Sequence, residues 1–96
     1  MFQDGTKGVK LVGGPISFYE EYTTTNAYVE RAFGGMCNSI TVTNDSSSDT
    51  VSLSYDGATL EADLKAYESL TLNTYDKSSV YIMGATGGDT VRIWGW

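Results

Sequence analysis

The sequence predicts an all-β protein: a single small antiparallel β-sandwich or barrel of about seven to eight short strands, with an N-terminal arm or hairpin. Three observations lead to this prediction. Between residues 39 and 96, apolar side chains recur at every second position, as at Ile40 and Val42. This period of two places one face of each segment in the interior. Clusters of Ser, Asp, Asn and Gly, which form turns, separate the segments. Charged residues make up 19% of the chain beside 11 Gly and 7 Tyr, a composition typical of sheet proteins.

Size and charge limit the classes of function. A chain of 96 residues suits one domain with a thin core and little room for a deep cleft. The net charge of −6 disfavours binding to nucleic-acid phosphates or to an anionic membrane surface. No segment is long and apolar enough to cross a bilayer, and no signal peptide is recognisable. Cys37 is the only cysteine, so we expect a small buried apolar residue made in a reducing compartment.

Residues 1–15 are predicted to form an N-terminal arm that precedes a β-sandwich domain at 16–96. The stretch 1–8 is polar with two glycines, and it is either a frayed terminus or an arm that orders on a neighbouring subunit. Residues 9–12 (VKLV) could form a short strand. Pro15 then breaks the pattern, because proline cannot donate to a strand ladder.

Residues 16–36 are predicted to form a hairpin-like lead-in to the main strands at 37–96. The two candidate strands, 16–23 and 27–33, alternate, but neither face of the second is purely apolar. A helix over 20–33 is an alternative, which the β-branched and aromatic residues disfavour. Gly34 and Gly35 mark a subdivision of the domain, not a domain boundary. After them, apolar and polar residues alternate regularly.

Six strands are predicted in the remaining chain: 39–44, 50–55, 58–64, 68–73, 79–84 and 90–95. Asp56 and Gly57 give the sharpest hairpin signal, because Gly tolerates the positive φ of a tight turn. A helical turn over 60–66 is an alternative to the third of these strands. The glycine-rich segment 84–89 (GATGGD) only loosely resembles a phosphate-binding loop, and we interpret it as the turn of a hairpin.

The residues needed for most catalytic sites are missing or scattered. The chain has no histidine, which removes the commonest general base and rules out a Ser-His-Asp triad. Two pairs of neighbouring carboxylates could in principle do acid/base work: Glu20 with Glu21, and Glu61 with Asp63. A solvated outer face of the predicted strand explains Glu61 and Asp63. We therefore predict that the protein is not an enzyme and has no catalytic residues and no cofactor.

An acidic loop follows the strand at 39–44. Asp45 and Asp49 could bind Ca²⁺ through oxygen ligands, but their spacing differs from that of an EF-hand loop. We interpret the loop as a plain turn and predict no metal site.

Aromatic residues give the clearest candidates for an interaction surface. Trp94 shares a strand face with Trp96 at the chain end, so the pair either forms an interface or closes the core. Tyr81 and Met83 lie opposite Val80 and Ile82, which makes the strand at 79–84 apolar on both faces. It is either a central strand of the sandwich or a strand whose outer face contacts a partner.

The last sixty or so residues resemble small β-sandwich virion proteins of tailed bacteriophages, of the capsid-decoration, head–tail or tail accessory kind. The matching segments are ITVTNDS at 40–46, VSLSYDG at 51–57, ESLTL at 68–72, SVYIM at 79–83 and TVRIW at 90–94. In such proteins, these segments correspond to a strand with an Asn/Ser/Asp-rich turn, a strand ending in Gly, a Leu-x-Leu strand and a final closing hairpin. No catalytic residues are implied by this resemblance.

The resemblance implies a structural protein of the virion, made in the host cytoplasm. Such a protein would form a homo-oligomer and dock on other virion proteins, such as capsid or tail subunits. The leftover aromatics agree with this expectation, since obligate oligomers often complete a small core at an interface. The alternative from the residues is a small carbohydrate-binding module that uses exposed Trp and Tyr.

Overall fold

A computed structural model describes residues 18–35, 37–75 and 77–96, and these described residues form eight antiparallel strands. The strands are β1 (Phe18–Thr23), β2 (Val29–Ala32), β3 (Ser39–Asn44), β4 (Val51–Ser54), β5 (Leu60–Leu64), β6 (Ser69–Asn73), β7 (Ser79–Gly84) and β8 (Thr90–Gly95). The all-β prediction is confirmed, and both helical alternatives, over 20–33 and 60–66, are wrong. Within the part of the chain that is described, no helix is long and apolar enough to cross a membrane.

The strands form two four-stranded sheets in a nested order. Sheet I has the order β1-β8-β3-β6, and sheet II has the order β2-β7-β4-β5. Consecutive strands alternate between the sheets, except that β4 and β5 lie in the same one. Each outer pair encloses the next, from β1 with β8 down to β4 with β5, as though one long hairpin had been rolled up. This nested order is that of a jelly roll, a two-sheet β-sandwich.

The predicted hairpin over 16–36 is wrong, although both of its strands exist. β1 pairs with β8, and β2 pairs with β7 in the other sheet. The physical reason is that each strand gains more by lying beside a strand with a fully apolar inner face. β1 aligns Tyr22 with Val91, and β2 aligns Val29 with Ile82. The predicted arm at 1–15 lies outside the described residues.

The predicted hairpin turn at 84–89 is also wrong. β7 belongs to sheet II and β8 to sheet I, so the connection crosses from one sheet to the other. Gly87 and Gly88 have φ of 88° and 82°, a backbone conformation that residues with a Cβ rarely adopt. The connection is held against the β1–β2 connection, where the backbone N–H of Thr24 donates to the Asp89 carbonyl at 2.8 Å.

The hairpin predicted at Asp56 and Gly57 is confirmed, because β4 and β5 pair with each other. Gly57 has the positive φ that the signal requires, 83°. The connection is longer than a two-residue turn, and the pairing register shifts between Leu53 and Ser54. Asp56 holds the loop, since its Oδ1 accepts from the backbone N–H of Thr59 at 2.7 Å.

The core is the layer of side chains between the two sheets. Its alternation follows the period-two pattern of the sequence, and its fully buried members are Ile40, Val42, Val51, Leu53, Val80, Ile82, Val91 and Ile93. Cys37 is buried beside them, as expected. Its sulfur lies against β8, where a Cβ on Gly95 would come within 2.7 Å of the Cys37 Sγ. A side chain at residue 95 would therefore displace the thiol.

One side of the sandwich is closed by contacts between β1 and the end of β2. The rings of Phe18 and Phe33 lie 5.7 Å apart. Next to them the Arg31 guanidinium forms an ion pair with Glu20 and lies 4.5 Å from the ring centroid of Tyr22. The hydrogen bond to Glu20 raises the pKa of Arg31, which keeps the cation charged. This ion pair joins the two sheets. It explains why the inner faces of β1 and β2 each carry a charged residue among apolar ones.

Asn44 ties the loops at one end of the sandwich together. This fully buried residue ends β3, and its Nδ2 donates to the carbonyls of Asp49, Leu64 and Lys65 at 2.9, 3.0 and 3.2 Å. Its Oδ1 accepts from the backbone N–H of Ser46 at 2.9 Å. One side chain thus satisfies buried backbone groups of two connections, which would otherwise lack partners in the interior.

Replacing Asn44 should therefore be costly. We expect Asn44→Ala to lower the free energy of unfolding by about 2–4 kcal/mol, because it leaves buried carbonyls without donors. Urea unfolding followed by tryptophan fluorescence measures the change. The matched control is Asn38→Ala at an exposed asparagine, which should cost less than about 0.5 kcal/mol. Equal effects of the two changes would contradict this role of Asn44.

Candidate interaction surfaces

Trp94 lies on the outer face of sheet I. In β8, Val91 and Ile93 face the core, while Arg92 and Trp94 are half-buried on the opposite side, as predicted. The structure therefore excludes closure of the core for Trp94. It is flanked by β1 and β3, with Tyr19 and Thr41 as its register partners.

Trp94 belongs to a row of side chains in contact across this face. The Tyr19 and Trp94 rings have centroids 5.5 Å apart, and the Arg92 guanidinium carbon lies 5.0 Å from the Trp94 ring. Arg92 makes a two-point ion pair with Asp45, at 2.6 and 3.0 Å. The hydrogen bond to Asp45 raises the pKa of Arg92. The pKa of Tyr19 is raised by burial and by a hydrogen bond to Glu21, so the phenol stays neutral.

Hydroxyl groups cover the rest of the outer face of sheet I. Thr41 and Thr71 have their Oγ1 atoms 2.9 Å apart across β3 and β6. Thr43 and Ser69 form the next pair along, with 2.6 Å between their oxygens. The face therefore places a tilted aromatic pair beside a strip of hydroxyls. Such a combination suits contact with another protein surface or with a sugar ring.

Trp96 extends β8 by one residue. Its backbone N–H donates to Ser39 at 3.0 Å, and its carbonyl accepts from the Ser39 N–H at 3.1 Å. The alternation of the strand places its half-buried side chain on the same side of sheet I as that of Trp94.

Tyr81 and Met83 lie on the outer face of sheet II, so the four predicted interface residues are split between opposite sides of the sandwich. β7 is a central strand between β2 and β4, and it buries Val80 and Ile82, which confirms the central-strand interpretation. Tyr81 is partly covered by the β4–β5 loop, since a Cβ on Gly57 would lie 3.0 Å from its ring. Contact of this face with a partner stays a prediction.

Carboxylates surround Tyr81 and Met83 on the outer face of sheet II. Glu30 accepts a 2.6 Å hydrogen bond from the Ser79 hydroxyl, and Asp63 accepts one of 2.7 Å from Ser52. A partner surface for this face would therefore need basic or hydroxyl-bearing side chains.

A third surface, along β5 and β6, was missed by the sequence analysis. Its exposed members are Leu60, Tyr67 and Tyr75, with exposed fractions of 54%, 68% and 74%. Leu70 and Leu72 of β6 face the core but are half-buried, because no described strand lies beyond β6. This side of the sandwich is therefore less closed than the side sealed by β1 and β2. The available signal was the lack of any charge in the segment 69–73.

The carboxylates considered for catalysis or Ca²⁺ have other partners. Glu20 pairs inward with Arg31, whereas Glu21 accepts outward from Tyr19. Asp45 pairs with Arg92, and the Asp49 carboxylate accepts from the Thr86 N–H and hydroxyl, each at 3.1 Å. Among the residues that the structure describes, no three His, Cys, Asp or Glu side chains gather where they could hold a metal ion.

Asp49 and Asp89 nevertheless interact with each other between two loops. A hydrogen bond with Asp89 and a further one from Thr86 lower the pKa of Asp49 to about 2. The same contact with Asp49, together with burial, raises the pKa of Asp89. Asp89 is also bonded through its backbone N–H to the Thr24 hydroxyl at 3.1 Å. The pair thus links the β3–β4 and β7–β8 connections most firmly when Asp89 is protonated.

Asp89→Asn should raise stability at neutral pH. Because the pKa of Asp89 is raised on folding, its ionised form costs stability above that pKa, and the cost disappears as pH falls below the ordinary value of 3.8. The amide of Asn can donate to Asp49 at any pH. We expect the variant to melt above the wild type at pH 7, with a difference that shrinks towards pH 4.

Thermal unfolding by circular dichroism at several pH values measures this difference. Asp63→Asn makes the same change in charge on an outer face and serves as the control. A wild type more stable than Asp89→Asn at pH 7 would contradict this effect of the Asp49–Asp89 contact.

Comparisons of the chain with protein families, with curated protein sequences and with solved structures found no match. The assignment of function therefore rests on the architecture and on the surfaces described above.

Proposed function

We propose that this protein is a non-enzymatic structural protein of a bacteriophage virion, a capsid-decoration, head–tail or tail accessory component. It acts by symmetric self-association and by docking on other virion proteins. The jelly-roll order of the strands supports the proposal, because this architecture recurs in viral capsid proteins. The same architecture also occurs in lectins and cupins, so the fold alone does not decide the function.

The observation that carries the proposal is the number of apolar groups left outside a fully packed core. These groups lie on three separate surfaces of one small domain. The surfaces are the outer face of sheet I with Trp94 and Tyr19, the outer face of sheet II with Tyr81 and Met83, and the surface along β5 and β6. A protein that contacts several neighbours in a particle needs several such surfaces, whereas a single ligand site needs one.

The two outer faces differ in the partner that they would accept. Around Trp94 the charged groups are already paired, with Arg92 bound to Asp45. Around Tyr81 the carboxylates of Glu30 and Asp63 bind only hydroxyls among the described contacts, so this face favours a basic partner. Docking on another virion protein therefore fits the outer face of sheet II better than that of sheet I. Attraction between its carboxylates and a basic partner would also speed association.

Incorporation into particles tests the proposal. Mass spectrometry of purified virions of the phage that encodes the chain should find it at a fixed ratio to the major capsid protein. Met83→Lys should reduce that ratio at least about tenfold, because it replaces an apolar side chain on the docking face with a positive charge that repels a basic partner. Ser47→Lys, at an exposed position of the β3–β4 connection outside the three surfaces, is the control and should be incorporated normally. Virions without the chain would refute the proposal.

Carbohydrate binding is the second candidate, supported by the Tyr19–Trp94 pair beside the hydroxyl strip of sheet I. An aromatic platform stacks on a sugar ring while neighbouring hydroxyls bind its polar edge. If this is the function, a glycan array should show binding that Trp94→Ala abolishes and Tyr81→Ala preserves. Circular dichroism should show both variants folded. An array without any signal would remove this candidate.

A further inference from the structure

The described residues leave four edge strands, and three of them carry features that prevent pairing with another chain. Charged side chains on an edge oppose the approach of a second strand, and a bulge distorts the edge. The sequence places such charges on β1, β2 and β5, and β5 also pairs with a register shift: Glu20 and Glu21, Glu30 and Arg31, Glu61 and Asp63. β6, with the sequence SLTLN, has no charge, no proline and no shift.

The backbone of β6 directs its free groups outward at alternate residues. At the ends of the β3–β6 ladder, the Asn44 N–H donates to Glu68 and the Thr74 N–H donates to Asn38, each at 2.9 Å. Hydrogen-bonded pairs in an antiparallel ladder recur at every second residue, so Leu70 and Leu72 direct their N–H and C=O groups towards β3. Ser69, Thr71 and Asn73 therefore direct theirs away from β3.

We propose that β6 is the edge through which this protein pairs with a second copy of itself. The two β6 strands run antiparallel about a two-fold axis at Thr71, and the two copies of sheet I become one eight-stranded sheet. This inference rests on the self-association in the proposed function and identifies the surface and symmetry responsible. The described contacts place one side-chain group on this edge, the Tyr55 hydroxyl, which donates to the Asn73 carbonyl at 3.1 Å.

The segment is self-complementary under this symmetry, as a two-fold interface requires. Thr71 lies opposite itself, and residues at equal distances on either side of it become neighbours. Leu70 therefore meets Leu72 of the partner subunit, and both half-buried side chains gain cover. The exposed Tyr67 and Tyr75 each lie four residues from the axis. Tyr67 of one copy and Tyr75 of the other are therefore neighbours across it. The same pairing satisfies the outward N–H and C=O groups of Thr71 and Ser69.

Charge also favours β6 over the other edges. The chain has a net charge of −6, so most contacts between two copies bring carboxylates together. The paired segment 69–73 (SLTLN) carries no charge, so pairing of two β6 strands places no carboxylates opposite each other along the ladder.

Opposite charges at residue 71 test the inference. Thr71→Lys alone and Thr71→Glu alone should each raise the dimer Kd by at least about 100-fold, because the axis places two like charges opposite each other. An equimolar mixture of the two variants should restore a one-to-one dimer, because the charges across the axis are then opposite. Native mass spectrometry distinguishes this mixed dimer from either homodimer by mass.

Thr41→Lys is the matched control. It breaks the same Thr41–Thr71 hydroxyl contact within the subunit but lies one strand away from the axis. This variant should dimerise like the wild type. If either variant of Thr71 fails to fold, amide hydrogen exchange of Thr71 in the wild type gives the same test. Its protection should rise with protein concentration, while that of Val42 in the core should not change.

Each remaining outcome contradicts a different statement. If the wild type forms an oligomer and Thr71→Lys leaves it intact, pairing through β6 is contradicted. Self-association in the proposed function then still stands. A wild type that is monomeric up to about 1 mM, the weak limit of measurable association, overturns both the edge and self-association. Incorporation into virions then still decides whether the docking part of the proposed function holds.

Discussion

The fold depends on one dry layer between two sheets, and the alternation of side chains along each strand produces it. Fully buried residues from β3, β4, β7 and β8 form the centre of this layer. In the described chain, β4 with β5 is the one pair of consecutive strands that hydrogen-bond to each other, so nearly all pairing is between distant segments. Register must then be fixed by burial, since a slip of one residue would turn Val80 and Ile82 outward and Tyr81 and Met83 inward.

Polar residues hold the ends of the sandwich where this layer stops. Asn44 satisfies carbonyls of two connections, and the Thr74 hydroxyl at the other end donates to the Cys37 carbonyl at 2.8 Å. The long sides are unlike each other. Phe18 with Phe33 and the Glu20–Arg31 ion pair close one side, whereas β6 on the other side is uncharged and has no further strand beside it among the described residues. The closed side completes the core within one subunit, and the open side is the one through which we propose that a second copy pairs.

The sequence was sufficient for the strands and for their buried faces, but not for their partners. Alternation is a local property, so β3, β7 and β8 were predicted at their observed bounds, and Trp94 was placed on the correct side of β8. Pairing is decided by which inner faces meet across the whole chain, so the segments 16–36 and 84–89 were wrongly predicted as hairpins. Tyr67 and Tyr75 were not selected as surface residues, because their exposure depends on β6 being an edge.

The nested pairing of distant strands is the central claim, since both the core and the position of β6 at an edge of the described sheet follow from it. NMR measurement of cross-strand nuclear Overhauser effects tests it most directly. The structure predicts backbone contacts between Tyr22 and Val91, and between Arg31 and Val80, with no ladder of contacts between β1 and β2. A continuous ladder joining residues 18–23 to 29–32 would mean a local hairpin, and it would contradict the jelly-roll order on which the surfaces depend.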